Sequence, residues 1–276
     1  MICLAHFAKD KEEIIQLWQE CFDDDREYIE FFLYNCPDEN ALYLYKKNGV
    51  TAGMMYLISG ELCWRRGNAL RQEKAYYLYA VGVSGRFRRQ GIAGEMLEFA
   101  KQYARERNAE LCLVPADEKL RNYYEQRGFA TAFCRNGKVL WNAEGKKQGR
   151  LLTKESALAD GTDEILRHVH EIYVKRKEIF GGKGSFLWSE ANLWFALEEN
   201  LKSGGFLYFC DDNNTFEYAV GVCENDSFYV KEASFAVISD EEEASQPYAM
   251  ITDMLFGAEF IEFAAQKDRY INLCLD

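Results

Sequence analysis

The chain has 276 residues, room for one large domain or two small ones. A hydrophobic share of 48%, a charged share of 28% and only 3 prolines describe an ordinary globular protein without long disordered linkers. The net charge is -12, and it is concentrated: residues 205–276 hold 15 acidic and 3 basic side chains, while the rest of the chain balances. That polarity argues against a nucleic-acid partner. No apolar run reaches the roughly 18 residues of a membrane span, and Met1–Asp10 has no basic stretch followed by an apolar one. The expectation is a cytoplasmic protein with no membrane partner. The 9 cysteines are odd in number and form no C-x-x-C pair, so they read as reduced core residues and not as a metal site.

In chain order, Ile2–Phe7 predicts a short strand. Ile14, Ile15, Leu17, Trp18 and Phe22 recur at helical spacing within Glu12–Phe22. A second helix is expected over Arg26–Tyr34, stopped near Pro37. Ala41–Tyr45 and Val50–Ser59 read as a hairpin around Asn48-Gly49, with an irregular strand over Glu61–Leu70. Tyr76–Val83 is an apolar strand, and Ile92–Arg107 the clearest helix. Leu111–Val114 is a buried strand, and Asp117–Gln126 a helix closed by Gly128. Phe129–Phe133 and Lys138–Trp141 look like a hairpin around Asn136-Gly137. The polar run Asn142–Arg150 is the expected boundary between a domain at 1–141 and another at 151–276.

The second half repeats the order more weakly. Helices are expected over Glu164–Phe180 and Glu190–Leu201, the latter capped by Ser189. Strands follow at Gly205–Cys210, Phe216–Cys223 and Phe228–Val237, then a long helix at Tyr248–Ala265 and a strand at Tyr270–Leu275. In this alignment Tyr77–Val83 corresponds to Tyr229–Phe235, and Leu111–Val114 to Ile271–Cys274.

The sharpest local signal is Val81-Gly82-Val83-Ser84-Gly85-Arg86-Phe87-Arg88-Arg89-Gln90-Gly91-Ile92-Ala93-Gly94. A strand runs into a basic, glycine-containing turn that opens a helix. Such a turn aims successive backbone N–H groups at one anion. Gly91 permits close approach, and Arg88 and Arg89 add charge. A solvated basic turn is the plain alternative. The spacing is neither that of a nucleotide triphosphatase loop nor that of a dinucleotide-binding fingerprint.

These residues resemble a family. Arg88-x-x-Gly91-x-Ala93 is similar to the (Q/R)-x-x-G-x-(G/A) loop of the GCN5-related N-acetyltransferase (GNAT) superfamily. Leu113-Val114-Pro115 followed by Tyr124-x-x-x-Gly128-Phe129 looks like that family's next strand and its Y-x-x-x-G-F segment. The resemblance covers about residues 1–141. The whole chain is similar to tandem GNAT proteins of the enhanced-intracellular-survival type, without their third domain. It implies an α/β fold with a mixed, splayed central sheet flanked by helices, duplicated as two GNAT-like halves.

The resemblance also implies a chemistry. The enzyme would move an acetyl group from acetyl-CoA directly to a primary amine, with no metal. Val81 and Val83 would hold the pantetheine arm through their backbone groups. The segment Arg88, Arg89, Gln90, Gly91, Ile92, Ala93 and Gly94 would cradle the pyrophosphate, and Tyr124 would protonate the leaving thiolate. Asp117 stands where the family often has a contacting asparagine, and Tyr123 offers a second phenol beside Tyr124. Glu61, Glu73 and the terminal carboxylate of Asp276 are candidates for the base. The acidic run Asp240–Glu243 at the matching position of the second half would repel a pyrophosphate, so that half is expected to be degenerate. It would wall a cleft for a small-molecule or peptide amine, or form a homo-oligomer interface. A non-catalytic acyl-CoA sensor and an acyltransferase with another donor are the competing readings.

Overall fold

The computed structural model describes residues 1–38, 40–135, 139–141, 149–156, 162–212, 215–225, 227–235 and 246–252. The chain divides into two compact units that interleave along the sequence. The first takes Met1–Gly60, Glu73–Ala130 and a stretch beginning at Met250. The second takes Glu61–Gln72 and Thr131–Ala249. The polar run 142–148, expected as a boundary, lies outside the described residues, as do the Asn136-Gly137 turn, the Asp240–Glu243 run and the strand expected at Tyr270–Leu275. No helix among the described residues is long and apolar enough to cross a membrane.

The first unit opens with β1 (Ile2–Leu4), α1 (Phe7–Phe22) and α2 (Arg26–Asn35). The apolar face of α1 is buried at Ile14, Ile15, Leu17 and Trp18, as its period demands. Asp23 ends α1 in the left-handed region at φ 61°, and the Asp25 side chain caps α2 by accepting from the Tyr28 N–H at 2.7 Å. Next come β2 (Leu42–Lys47) and two long strands, β3 (Val50–Arg66) and β4 (Ala69–Val83). The irregular strand expected at Glu61–Leu70 is the far end of this β3–β4 hairpin, turned at Gly67 with φ 57°. Then follow α3 (Ile92–Arg105), β5 (Ala109–Leu113), α4 (Glu118–Glu125) and β6 (Phe129–Arg135).

The sheet order is β1-β2-β3-β4-β5-β13-β6, where β13 is Gln246–Thr252. Expected as the start of a helix, Tyr248–Thr252 is instead strand. Met250 and Ile251 pair antiparallel with Leu113 and Cys112. Thr252 Oγ1 donates to Glu110 Oε2 at 2.6 Å and accepts from the Leu111 N–H at 3.0 Å, so the insertion is locked by side chain as well as backbone. Strands β4 and β5 are parallel, with α3 as their crossover.

The second unit contains β7 (Val139–Trp141), β8 (Arg150–Thr153), a single turn α5 (Lys154–Ser156), α6 (Thr162–Phe180), β9 (Ser185–Trp188), α7 (Glu190–Lys202), β10 (Gly205–Asp212), β11 (Thr215–Glu224) and β12 (Ser227–Ala233). Ser189 caps α7 as expected, while β8 and β9 had no clear signal. The sheet order is β7-β12-β11-β10-β8. Its β8-β10-β11-β12 block repeats the β1-β2-β3-β4 block of the first unit, with two long helices inserted at the same place. The repeat then departs. Where β5 lies parallel to β4, β7 lies antiparallel to β12, with Trp141 opposite Phe228. The expected hairpin of Lys138–Trp141 with Phe129–Phe133 does not form, because Trp141 packs on Phe206 and Tyr208 with ring centroids 5.6 and 5.0 Å apart.

A buried ion pair sits inside the second unit. Arg176 grips Glu232 at 2.8 and 3.2 Å, and Tyr218 Oη donates to the same carboxylate at 2.7 Å. Both charged residues are buried, so removing one strands the other. Glu232→Ala is expected to destabilise this unit by about 3–5 kcal/mol, and Tyr218→Phe by about 1 kcal/mol. Denaturant unfolding followed by tryptophan fluorescence measures both. A Glu232→Ala variant as stable as the wild type would show that the pair is not desolvated.

Candidate functional site

The site is built where β4 leaves its neighbour. The parallel pairing of β4 with β5 runs from Lys74–Ala109 to Tyr77–Cys112 and goes no further, although β4 continues to Val83. Within that free stretch Ala80 has φ 49°, a left-handed residue in the middle of a strand. Such a bulge adds one residue and reverses the facing of everything after it. The contacts bear this out. Tyr76 and Leu78 pack with the α3 side of the sheet, and beyond the bulge Val81 and Val83 do so. Tyr77 and Tyr79 face the other side, where Tyr79 meets Trp18 and Phe32. Gly82 then turns toward α1. A Cβ there would come within 2.9 Å of Cys21 Sγ, so only glycine lets the end of α1 approach.

After Val83 the chain makes one 3-10 turn at Gly85–Phe87 and enters α3 through Arg89 (φ 60°) and Gly91 (φ 83°). These left-handed residues curl the loop into a concavity of backbone N–H groups. The amides of Ile92, Ala93 and Gly94 are first-turn donors, for which the helix has no acceptor. Glu20 on α1 braces the start of the loop, accepting from the Gly85 N–H at 2.6 Å and the Ser84 hydroxyl at 3.2 Å.

A cleft of about 1000 Å³ opens at this point. Of the residues singled out from sequence, Val81, Val83, Arg88, Arg89, Gly91, Ile92, Ala93, Gly94 and Tyr124 all line it. Gln90 does not. Its side chain donates to the Arg86 carbonyl and accepts from Lys47 Nζ at 2.6 Å, tying down the outside of the loop. The remaining walls were not anticipated. Cys21 and Phe22 come from α1, and Ala116, Lys119, Leu120 and Arg127 from the α4 segment. The α4 contribution is readable in hindsight, because Lys119, Tyr123 and Arg127 follow at four-residue spacing. Cys21 and Phe22 carried no such mark.

Tyr124 is buried, packed edge-on to Phe129 with centroids 5.8 Å apart. Its hydroxyl has no hydrogen-bond partner among the described residues. Burial, reinforced by the neighbouring Tyr123, pushes its pKa up to about 12, so it keeps its proton throughout the neutral range. Asp117 is committed to local structure, capping α4 by accepting from the Leu120 N–H at 2.7 Å. Among the residues lining the cleft it is the only carboxylate, against the four cations Arg88, Arg89, Lys119 and Arg127. None of the four makes an ion pair among the described residues. Arg88 Nε instead donates to the Val83 carbonyl at 3.1 Å. Of the base candidates, Glu61 is engaged by Lys177 at 3.2 Å within the second unit, neither it nor Glu73 lines the cleft, and Asp276 lies outside the described residues.

Parallel strands that part, a left-handed residue within β4 and a glycine loop opening a helix are the elements of this site. Residues 11–129 match the model of the acetyltransferase (GNAT) family. Similar solved structures extend the likeness of fold to most of the chain. A GCN5-related N-acetyltransferase from Anabaena variabilis is 13% identical with a TM-score of 0.64, over 91% of this chain and 72% of that one. One from Kribbella flavida is 12% identical with a TM-score of 0.57, over 91% and 70%. Eis1 from Mycobacterium abscessus is 10% identical with a TM-score of 0.53, over 80% of this chain and 53% of that one. No curated protein matches by sequence.

Gly91 tests the loop directly. Its φ of 83° is costly for any L-residue, and nothing but Glu95 Oε1 at 4.0 Å lies near a Cβ there. Gly91→Ala is expected to cost about 1–2 kcal/mol of stability but to retain ligand binding. Gly91→Glu is expected to abolish it, by placing a carboxylate beside the first-turn amides of α3. Calorimetric titration with CoA separates the two, and an unchanged affinity in Gly91→Glu would remove the loop from the site.

Proposed function

We propose that the first unit is an acetyl-CoA-dependent N-acetyltransferase that acts by direct transfer to a primary amine on a small molecule or peptide. The observation that carries this reading is the continuity of the cleft. One surface joins the glycine loop at the start of α3, the edge of β4 that β5 leaves and a protonated phenol with no partner among the described residues. Acetyl-CoA would supply an activated thioester. The chain's own residues do the rest. The amides from Arg88 to Gly94, with the charges of Arg88 and Arg89, hold a pyrophosphate. The edge of β4 at Val81 and Val83, which β5 leaves unpaired, offers backbone hydrogen bonds to the amide-rich pantetheine arm and an N–H to polarise the thioester carbonyl. Tyr124 gives its proton to the departing thiolate while the attacking amine loses one to solvent, and a proton from solvent restores the neutral phenol that burial favours.

Thiol release from acetyl-CoA with a panel of amines tests the activity. Release only in the presence of an amine supports it, and binding without release would make the protein a sensor. Tyr124→Phe is expected to lower turnover roughly 10²–10⁴-fold with CoA affinity nearly unchanged, whereas Tyr123→Phe should do little. The sign of the pH dependence follows from the raised pKa. The donor form of Tyr124 is present at neutral pH and is lost only on approach to about 12. The fold-loss in Tyr124→Phe should therefore be constant between about pH 7 and pH 9. A loss that vanishes within that range would assign the proton to another group. One CoA per chain is the expected stoichiometry, since the Asp240–Glu243 run opposes a second site. A calorimetric value near two would overturn the proposed degeneracy.

A further inference from the structure

A second cavity, of about 420 Å³, opens in the first unit away from the cleft, and no residue lines both. It lies toward the other end of α3. Tyr103 in its wall is some three turns beyond Ile92 at the loop, about 16 Å at helical rise. Asp38 and Asn40 reach the cavity from between α2 and β2, Leu57 and Ser59 from β3, Tyr76 from β4 and Tyr103 from α3. Leu57 and Ser59 are two apart on a strand and so share a face, the α3 side on which Leu57 and Tyr76 pack.

Its chemistry differs from that of the cleft. Asp38 is the only charged side chain among the lining residues. Strand β3 fixes it, because its carboxylate accepts from the Ser59 N–H at 2.5 Å and from the Ser59 hydroxyl at 3.0 Å. Each carboxylate oxygen carries a second lone pair. Tyr76 and Tyr103 form an aromatic corner, with ring centroids 5.2 Å apart and planes inclined by 72°. Arg107, which does not line the cavity, stacks 3.5 Å from the Tyr103 ring centroid and orders that ring. Burial first, then the Tyr103 phenol and the Asp38 charge, hold the Tyr76 phenol above its ordinary pKa, so it stays a neutral hydroxyl at neutral pH.

We propose that this cavity binds a small organic ammonium ion, with its charge on Asp38 and its carbon skeleton against Leu57 and the corner of Tyr76 and Tyr103. An anion would meet one carboxylate and no lining cation, and would be repelled. A hard metal cation wants a shell of oxygens, whereas much of this wall is ring and alkyl carbon. A neutral apolar molecule would desolvate Asp38 without giving it a partner. An organic ammonium satisfies both parts of the wall. Its N–H groups donate to the carboxylate, and the electron-rich faces of phenol rings attract its charge. The volume suits a small molecule, since ligand pockets run from about 300 to 1,000 Å³. This inference does not rest on the donor assignment above, because the two sites share no residue.

The experiment titrates the full chain with three probes of one shape: cyclohexylamine, cyclohexanol and cyclohexanecarboxylate. Backbone amide shifts in ¹H–¹⁵N spectra place the binding and give the affinity. Cyclohexylamine is expected to shift the amides of Asp38, Tyr76 and Tyr103, to bind roughly 10-fold tighter than cyclohexanol, and to keep its affinity in excess CoA. Cyclohexanecarboxylate should bind weakest. Asp38→Asn should erase the preference for the amine. Ser59→Ala removes a hydrogen bond to Asp38 but no charge, and should keep the preference. Circular dichroism checks that each variant is folded. The comparison of probes on the wild type needs no variant, so it decides the matter even if Asp38→Asn does not fold. Equal affinity for amine and alcohol, tighter binding of the carboxylate, or displacement of the amine by CoA would each overturn the inference. So would shifts confined to the cleft, or a preference for the amine that survives in folded Asp38→Asn.

Discussion

The first unit depends on the parting of two parallel strands. Strand β4 hydrogen-bonds β5 over only its middle, then carries on beside β3 without it, with a left-handed residue at Ala80. Unpaired backbone inside a sheet is costly unless something else meets it. The bulge turns Val81 and Val83 to the α3 side and Gly82 to α1. The tight approach of Cys21 to Gly82 and the Glu20 brace on Gly85 follow from the same turn, because the end of α1 can close on the loop only where no side chain intervenes.

Strand β5 is held on its far side by β13, and Thr252 binds both its backbone and the buried Glu110. The second sheet supplies the contrast. Its β8-β10-β11-β12 block follows the same order as β1-β2-β3-β4, yet β7 closes on β12 antiparallel. The parallel pair that generates the opening in the first unit has no counterpart among the described residues of the second.

Helix α4 shows how a short element serves several ends. Asp117, which stands where the resembling family often has asparagine, is used as an N-cap, so that departure leaves the helix start secure. Gly128, at φ 79°, closes the segment and directs Phe129 beneath Tyr124. Burial then fixes the protonation state of Tyr124, while its neighbour Tyr123 remains partly exposed and supports Arg127. Adjacent phenols thus acquire different roles from their faces on one helix.

Much of this was legible in the sequence because it is local. The helices α1, α2, α3, α6 and α7, the cap at Ser189, and the strand–loop–helix from Val81 to Gly94 all follow from period, turn chemistry and spacing within about a dozen residues. Tyr124 followed from its distance to Gly128. What the sequence could not contain was partner choice. Tyr248–Thr252 lies in an apolar run that reads as helix, yet Ala249, Met250 and Ile251 are fully buried in a strand against residues more than a hundred positions earlier. Val139–Trp141 passed over the nearby β6 for β12, because the Trp141 ring finds Phe206 and Tyr208 there. A short apolar segment is compatible with either secondary structure and with any open edge. Burial on both faces decides between them, and only the assembled sheet provides those faces. The cations of the cleft obey the same rule. Spacing places Lys119, Tyr123 and Arg127 on one side of the α4 segment, but the approach of Arg127 to Gly94 is set by how that segment packs with α3, a contact between elements that no single stretch of sequence encodes.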